Sequence, residues 1–338
     1  MGQTGIGVIG AGRIGLIHCD IITNLVSNAR IVAINDVDEE HAAQALKLTG
    51  ARFEADPQAL IESPDVDAVL VTSWDPTHEQ YVIACIKAGK YVFCEKPLSN
   101  TSDGCRRIME AEIAGGKRLA QVGFMRRFDE HYRALKRVLD SGQMGKVLML
   151  HCSHRVPWPG GAKHTTDTLI TRAVSHEFDI NRWLLGEDYA TAQVVRGRPS
   201  SYAEEGLEDP QLVILRTQSG VVIDIEISMH AKYGYQVSCE AVCDEGTVRL
   251  ASPAAPEIRR DLTMSQAVCP DWHERFRRAY EVELFEWVES VRNGKITGPS
   301  AWDGYQSSAV ADVAVAAGEA HRELEVAIGT CPDFYRES

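Results

Sequence analysis

The sequence predicts an α/β Rossmann N-terminal domain plus an α+β C-terminal domain with an open, mostly antiparallel sheet. A glycine-rich turn stands between an apolar strand and an amphipathic helix at the start of the chain. Strand and helix patterns then alternate up to about residue 128. Beyond residue 143 or so, strands follow one another with little helix between them. A chain of 338 residues is long for a single core. The expected division is residues 1–125, a dinucleotide-binding domain, and 126–338, a substrate-binding and oligomerisation domain whose final helix can pack back on the first.

The first element is an apolar strand containing Ile6, Val8 and Ile9. It runs into Gly10-Ala11-Gly12-Arg13-Ile14-Gly15 and then a helix pattern with Leu16, Ile17, Ile21, Ile22 and Leu25. This is GxGxxG with a strand before it and a helix after it, the context in which the motif carries meaning. Gly10 permits the tight turn, Gly12 lets a pyrophosphate approach the backbone, and Gly15 lets helix and strand come close. Gly10, Gly12, Arg13 and Ile14 are therefore the expected phosphate contacts, at a helix N-terminus with unpaired N–H groups. A second strand, Ile31 to Asn35, ends at Asp36. An acid there accepts from both adenosine ribose hydroxyls and repels a 2′-phosphate, which predicts NAD rather than NADP.

A third strand, Val66 to Val71, exits into Thr72-Ser73-Trp74-Asp75-Pro76-Thr77-His78 and a helix ending near Gly89. Ser73, Trp74 and His78 would flank the dinucleotide, with turn capping as the other reading for His78. The next strand, Tyr91-Val92-Phe93-Cys94-Glu95-Lys96-Pro97, passes abruptly from apolar to charged residues. That marks a strand whose carboxyl end opens into a crevice, where open α/β sheets place their ligands. Pro97 restricts Lys96 to extended geometry, and the Lys96–Pro97 bond is open to a cis form. Glu95 and Lys96 thus stand at the cofactor, with Lys96 placed to donate to a substrate hydroxyl or a cofactor ribose. A helix from Thr101 and a strand over Arg118–Val122 close this part, near Gly123 to Phe128.

In the second part, Lys146–His154 reads as a strand and Val156–Thr168 as a loop rich in Pro, Gly and Thr. A helix is expected over 171–185, and strands at 191–197, 211–217, 221–230, 235–242 and 246–251, joined by turns such as Gln218-Ser219-Gly220. Helices at 272–292 and 301–323 finish the chain.

The bulk composition narrows the function. A net charge of −13 argues against a nucleic-acid partner. Nine cysteines without paired metal spacing read as reduced thiols, and no apolar run reaches the ~20 residues of a membrane span. With no basic region and apolar signal core at the start, the expectation is a soluble cytoplasmic protein with no membrane partner. No metal is expected, because His151 and His154 share a strand without a matching third ligand nearby.

Taken in order, a series of motifs resembles the glucose-fructose oxidoreductase/inositol dehydrogenase family, and its inositol 2-dehydrogenase branch in particular. The series is Gly10 to Gly15, Glu95-Lys96-Pro97, Gly123 to Asp129, His151 to Arg155, and His176-Glu177-Phe178-Asp179 before Arg182-Trp183-Leu184. It ends with Tyr233-Gly234-Tyr235, Cys239-Glu240, and Asp271 to Leu284. The resemblance implies oxidation of a secondary alcohol on a cyclic polyol or sugar, with hydride passing to NAD. It also implies a homo-oligomer, a tetramer ahead of a dimer, built on the exposed face of the second sheet.

By the same resemblance His176 is the general base, a task that suits an imidazole with an ordinary pKa of about 6.5. Lys96 would hold the same oxygen, and Asp179, on the His176 helix face, would accept from further hydroxyls. Arg127, His154 and Tyr235 would border the substrate, and Met125 and Arg126 the cofactor. The chain departs from the family pattern at Arg172, where the resembling enzymes usually carry an aspartate four residues before the histidine. Trp158, in Val156-Pro157-Trp158-Pro159-Gly160, stands where a polar residue is usual. Arg172 and Trp158 become candidate substrate contacts. A different sugar or aminocyclitol substrate stays open, as does a non-catalytic NAD-binding sensor.

Overall fold

The computed structural model describes residues 2–158, 164–251 and 255–336. The chain divides into two compact units. The first comprises Met1–Met125, Tyr280–Ser308 and Gly329–Ser338, and the second Arg126–Ala279 and Ala309–Ile328.

The first unit is built on six strands: β1 (Thr4–Ile9), β2 (Ala29–Asn35), β3 (Arg52–Phe53), β4 (Ala68–Val71), β5 (Tyr91–Glu95) and β6 (Ala120–Gly123). All pair in parallel, in the order β3-β2-β1-β4-β5-β6. The order reverses between β1 and β4, the topological switch point of a doubly wound sheet. Strands β1, β4 and β6 are buried along their whole length, as expected of a sheet covered on both faces.

Helices α1 (Arg13–Leu25), α2 (Glu39–Thr49), α3 (Pro57–Glu62), α4 (His78–Lys87) and α5 (Ser102–Gly115) connect these strands. Asp38, Asp56 and Thr101 cap α2, α3 and α5 through their side chains, whereas α1 starts at Gly12 with no side-chain cap. The N–H groups that lead a helix have no intrahelical acceptor, and at α1 the cap residue is a glycine with no side chain to offer one. Glu112 on α5 is fully buried and accepts from the N–H groups of Leu119 and Ala120, each at 2.7 Å, and from the Tyr335 hydroxyl at 2.8 Å.

In the second unit, α6 (Glu130–Asp140) precedes β7 (Val147–Arg155). A single turn α7 (Thr166–Thr168), a π-helical turn over Leu169–Ala173 and α8 (Ser175–Leu185) follow. Then come β8 (Tyr189–Arg196), β9 (Gln211–Thr217), β10 (Val222–Ser228), β11 (Gln236–Cys243), β12 (Gly246–Arg249) and the hairpin β13 (Glu257–Arg260) and β14 (Thr263–Gln266). Helices α9 (Trp272–Arg292) and α10 (Ala301–Ala320), strand β15 (Leu324–Glu325) and α11 (Asp333–Arg336) end the chain. The large sheet of this unit has the order β12-β11-β7-β10-β9-β8-β15, antiparallel except for the β7–β10 pair.

Among the differences from the sequence expectation, three fall in the second part of the chain's expected pattern of helices and strands. The helix expected from 171 begins at Ser175, because the Val174 N–H reaches back five residues to the Leu169 carbonyl and widens the preceding turn. The last long helix stops at Ala320, and β15 adds a strand beside β8. The β13–β14 hairpin escaped notice because every residue in it is exposed, so no buried–exposed alternation marks it.

Candidate active site

In the first unit, the candidate residues gather at the carboxyl ends of β1, β2, β4 and β5. Gly10 has φ +94°, and a Cβ there would lie 2.4 Å from Ser73 Cα. A Cβ on Gly15 would lie 2.3 Å from the Gly10 carbonyl oxygen, whereas one on Gly12 would meet nothing within 4 Å. Two glycines are thus demanded by the protein's own backbone, and the third borders open space at the uncapped start of α1. That space, backed by the helix N-terminus, fits a dinucleotide pyrophosphate. Asp36 sits just past β2, half-buried. One of its oxygens accepts the Ala11 N–H and the other accepts the Asp38 N–H at 2.8 Å. A carboxylate has about four lone-pair sites, so these two bonds aim Asp36 without exhausting it. Arg13 and Ile14 open α1, Ser73 is half-buried, and the Trp74 side chain beside it is 72% exposed.

The Lys96–Pro97 peptide is cis. Lys96 is half-buried, and Glu95 before it is turned inward. His18 of α1 donates from Nε2 to one Glu95 oxygen at 2.8 Å, and the Lys96 N–H donates to the other at 3.1 Å. His78 corrects an expectation. Its ring lies 1% exposed, with Nδ1 2.7 Å from the Pro97 carbonyl oxygen and Nε2 2.9 Å from that of Ser73. With both nitrogens facing backbone oxygens, the ring keeps no hydrogen-bonding atom for a cofactor.

The second unit holds the other group of candidates. His176, in the first turn of α8, is buried, and its ring centroid lies 6.4 Å from that of His154 on β7. His154 Nδ1 lies 3.2 Å from a Glu177 oxygen and 3.3 Å from an Arg126 nitrogen, and its Nε2 lies 3.1 Å from the Tyr235 hydroxyl. Arg127 forks onto Asp179, with Nε 2.9 Å from Oδ2 and the second guanidinium nitrogen on Oδ1. Arg126 needs a second correction. Rather than offering its charge to a cofactor, it lies 1% exposed, ion-paired with Glu177 and stacked 5.6 Å from the Phe276 ring centre. Met125 is likewise buried. Burial alone would raise the Glu177 carboxyl, but Arg126 and then His154 outweigh it and hold the group at about 2. Burial pushes the Tyr235 phenol up to about 12, against the pull of Arg126.

Arg172 falls in the π-helical turn, so its relation to His176 is not the one-turn spacing of a regular α-helix. Burial, and then the nearby Arg172, lowers the pKa of His164, whose ring stands edge-on to Trp158 at 4.4 Å. Pro159 and Gly160, which follow Trp158, lie outside the described residues. Among the described residues, no three His, Cys, Asp or Glu side chains are grouped to hold a metal, and no helix is long and apolar enough to cross a membrane. Sequence reasoning passed over two buried residues: His18, a lone polar residue on the apolar face of α1, and Glu177, which reads from sequence only as a neighbour of His176.

The buried Arg126–Glu177 pair yields a stability prediction. Glu177→Gln leaves a buried guanidinium without its counter-charge and should cost about 3–5 kcal/mol in urea unfolding. In an unfolded chain a glutamate titrates near 4.3. The folded-state value is depressed, so the stabilisation is complete above that pH and is lost as pH falls toward about 2. Wild type should therefore lose stability more steeply than Glu177→Gln across this window, and parallel pH curves would refute the assignment.

Comparison with known proteins agrees with this geometry. Residues 4–124 match the family described as an oxidoreductase family with an NAD-binding Rossmann fold, and residues 136–326 match its C-terminal alpha/beta domain. The chain is 50% identical over 333 residues to the inositol 2-dehydrogenase of Burkholderia cenocepacia strain HI2424, covering 98% of each. It is 46% identical, with the same coverage, to that of Klebsiella pneumoniae strain MGH 78578. Among solved structures it is similar to myo-inositol dehydrogenase from Lactobacillus casei in complex with NAD(H) and myo-inositol. There the TM-score is 0.95 at 36% identity, covering 98% of this chain and 99% of that one. A Rossmann unit with an open pyrophosphate cradle and a family match over both parts lead to one conclusion: the chain belongs to the Gfo/Idh/MocA oxidoreductase family and is an NAD-dependent dehydrogenase.

Proposed function

We propose that the protein oxidises a secondary hydroxyl of a cyclic polyol or sugar to a ketone, as an inositol 2-dehydrogenase does. The observation that carries this reading is the likeness, over nearly the whole chain, to an enzyme solved with NAD(H) and myo-inositol. Bound NAD supplies the hydride acceptor. Gly10, Gly12 and the N–H groups at Arg13 and Ile14 hold the pyrophosphate, Asp36 holds the ribose, and Ser73 and Trp74 flank the dinucleotide.

Lys96 donates to the substrate oxygen and stabilises the negative charge that develops on it, while His176 accepts its proton. Asp179, aimed by the Arg127 fork, accepts from a neighbouring hydroxyl of the substrate. His154 and Tyr235 complete the polar lining. One face of the seven-stranded sheet presents half-buried Leu212, Ile214, Val222 and Val242 together with the His151–Asp224 and Arg155–Glu226 pairs. We assign that face to a homotetramer, which light scattering would size; a monomer at micromolar concentration would exclude it. The nine free cysteines suit a cytoplasmic protein.

A second reading keeps the chemistry and changes the substrate. Arg172 replaces an acid of the resembling enzymes and brings a positive charge beside His164, which favours a substrate with an anionic or otherwise altered substituent.

NADH formation over a panel of cyclitols, hexoses, hexuronates and aminocyclitols tests both readings. Rapid oxidation of myo-inositol supports the first, and activity confined to acidic sugars the second. Silence across the panel with NAD bound would sink both in favour of a sensor. Lys96→Ala and His176→Asn should each lower kcat by about 10²–10⁴-fold with little change in NAD affinity. Asp36→Ala should weaken NAD about tenfold or more and narrow the gap to NADP in fluorescence titrations. Unchanged NAD affinity would count against the ribose contact.

A further inference from the structure

The turn that carries Lys96 is held on both sides by a buried histidine, and the mechanism above uses neither. On the amino side His18, fully buried, donates to Glu95, whose other oxygen receives the Lys96 N–H. The His18 ring is itself fixed by Phe93 and Tyr280, with centroids at 5.6 and 5.7 Å. Room for the Glu95 carboxylate exists because residue 123 is glycine; a Cβ there would lie 3.1 Å from Glu95 Cδ. On the carboxyl side His78 bridges the carbonyl oxygens of Pro97 and Ser73. Either neutral tautomer donates to one of these oxygens, and a doubly protonated ring donates to both.

Each histidine therefore ties a neighbour of Lys96 to a segment at the dinucleotide cradle. His18 lies on α1, five residues beyond its start, and His78 reaches the loop after β4 at Ser73. From this geometry we infer that His18 and His78 are positioning residues for Lys96, which fix its backbone relative to the cofactor cradle. The inference rests on the role given to Lys96 above. Neither ring is placed to touch substrate, so both act through the turn. Misplacing a catalytic group by about 1 Å can cost about 10²-fold in rate, so kcat should fall well before cofactor binding does.

The first test needs no substrate. Amide hydrogen exchange at Lys96 is read in the full-length protein, and Pro97, which lacks an N–H, separates it from Leu98. In His18→Leu and in His78→Leu, exchange at Lys96 should rise about tenfold above any change at Val69 and Leu70 in the sheet centre. His18→Gln, which keeps a donor for Glu95, should restore much of the protection and guards against misfolding of the leucine variant. In turnover assays, His18→Leu should lower kcat about 10–100-fold with the Kd for NAD within about threefold. Adding Glu95→Gln should cost little more, because both changes break one connection. An unchanged Lys96 exchange rate in either leucine variant overturns the inference, as does loss of kcat in step with NAD affinity. A wild-type protein that oxidised no polyol would sink the functional reading and leave the exchange result to decide on the clamp alone.

Discussion

The dinucleotide cradle depends on a backbone closure at the end of β1. The Gly10 N–H bonds the Asn35 carbonyl of β2 at 2.8 Å, and the Thr72 N–H after β4 bonds the Ile9 carbonyl at 2.9 Å. The Thr72 hydroxyl donates to the Gly10 carbonyl oxygen, the same atom that a Cβ on Gly15 would strike. Three strand ends and one helix therefore meet around a single peptide group, leaving no side-chain volume between them. Polar backbone groups that would be costly to bury unpaired satisfy one another there. The α1 N-terminus, which has no side-chain cap, borders the open space at Gly12. Asp36 and Ser73 inherit their positions from this closure, because each follows a strand whose end is pinned to Gly10 or Ile9.

The second unit solves a different problem. It buries a guanidinium and a carboxylate almost completely, an arrangement whose desolvation cost often exceeds its Coulombic gain. Here the pair is extended. Arg126 meets Glu177, Glu177 meets His154, and His154 meets Tyr235. Glu177 and Arg126 together hold the His154 ring by its Nδ1, which leaves Nε2 facing the Tyr235 hydroxyl. The network therefore specifies orientation at two candidate substrate contacts, which a well-packed apolar replacement could not do. Glu177 follows His176 directly on α8, so the same anchoring also holds the helix turn that carries His176.

Much of this was legible in the sequence because the determinants are local. The glycine turn, the acid after β2 and the change from Phe93 to Glu95 and Lys96 each announce themselves within a few residues, and each falls at a strand end in the folded chain. Periodicity located β7 to β11 within a residue or two, since alternate side chains of these strands are buried. What escaped notice depends on distant partners. Nothing near His78 in sequence says that its ring will face Pro97, 19 residues on. Nothing near Arg126 says that Glu177, 51 residues away, will claim its charge. For His78 the sequence leaves a cofactor contact and turn capping both open, and for Arg126 the place beside the cofactor comes from the family resemblance alone. The π-helical turn was illegible for a related reason. It arises from backbone bonds that reach back five residues, such as Val174 to Leu169, which residue pattern alone does not distinguish from an ordinary helical turn.

That turn bears on the exchange of an acid for Arg172. In a regular helix a side chain four residues before His176 would lie against its ring, and a guanidinium there would oppose protonation of the base. The wide turn removes Arg172 from that strict register, and the charge is felt at His164, on the loop side. The orientation of His176 then rests on α8 itself, anchored by Glu177 one residue on and by Asp179 three residues on. Where the family pattern has an acid, this chain therefore places a positive charge that acts on His164, while the anchoring of α8 is carried by other residues.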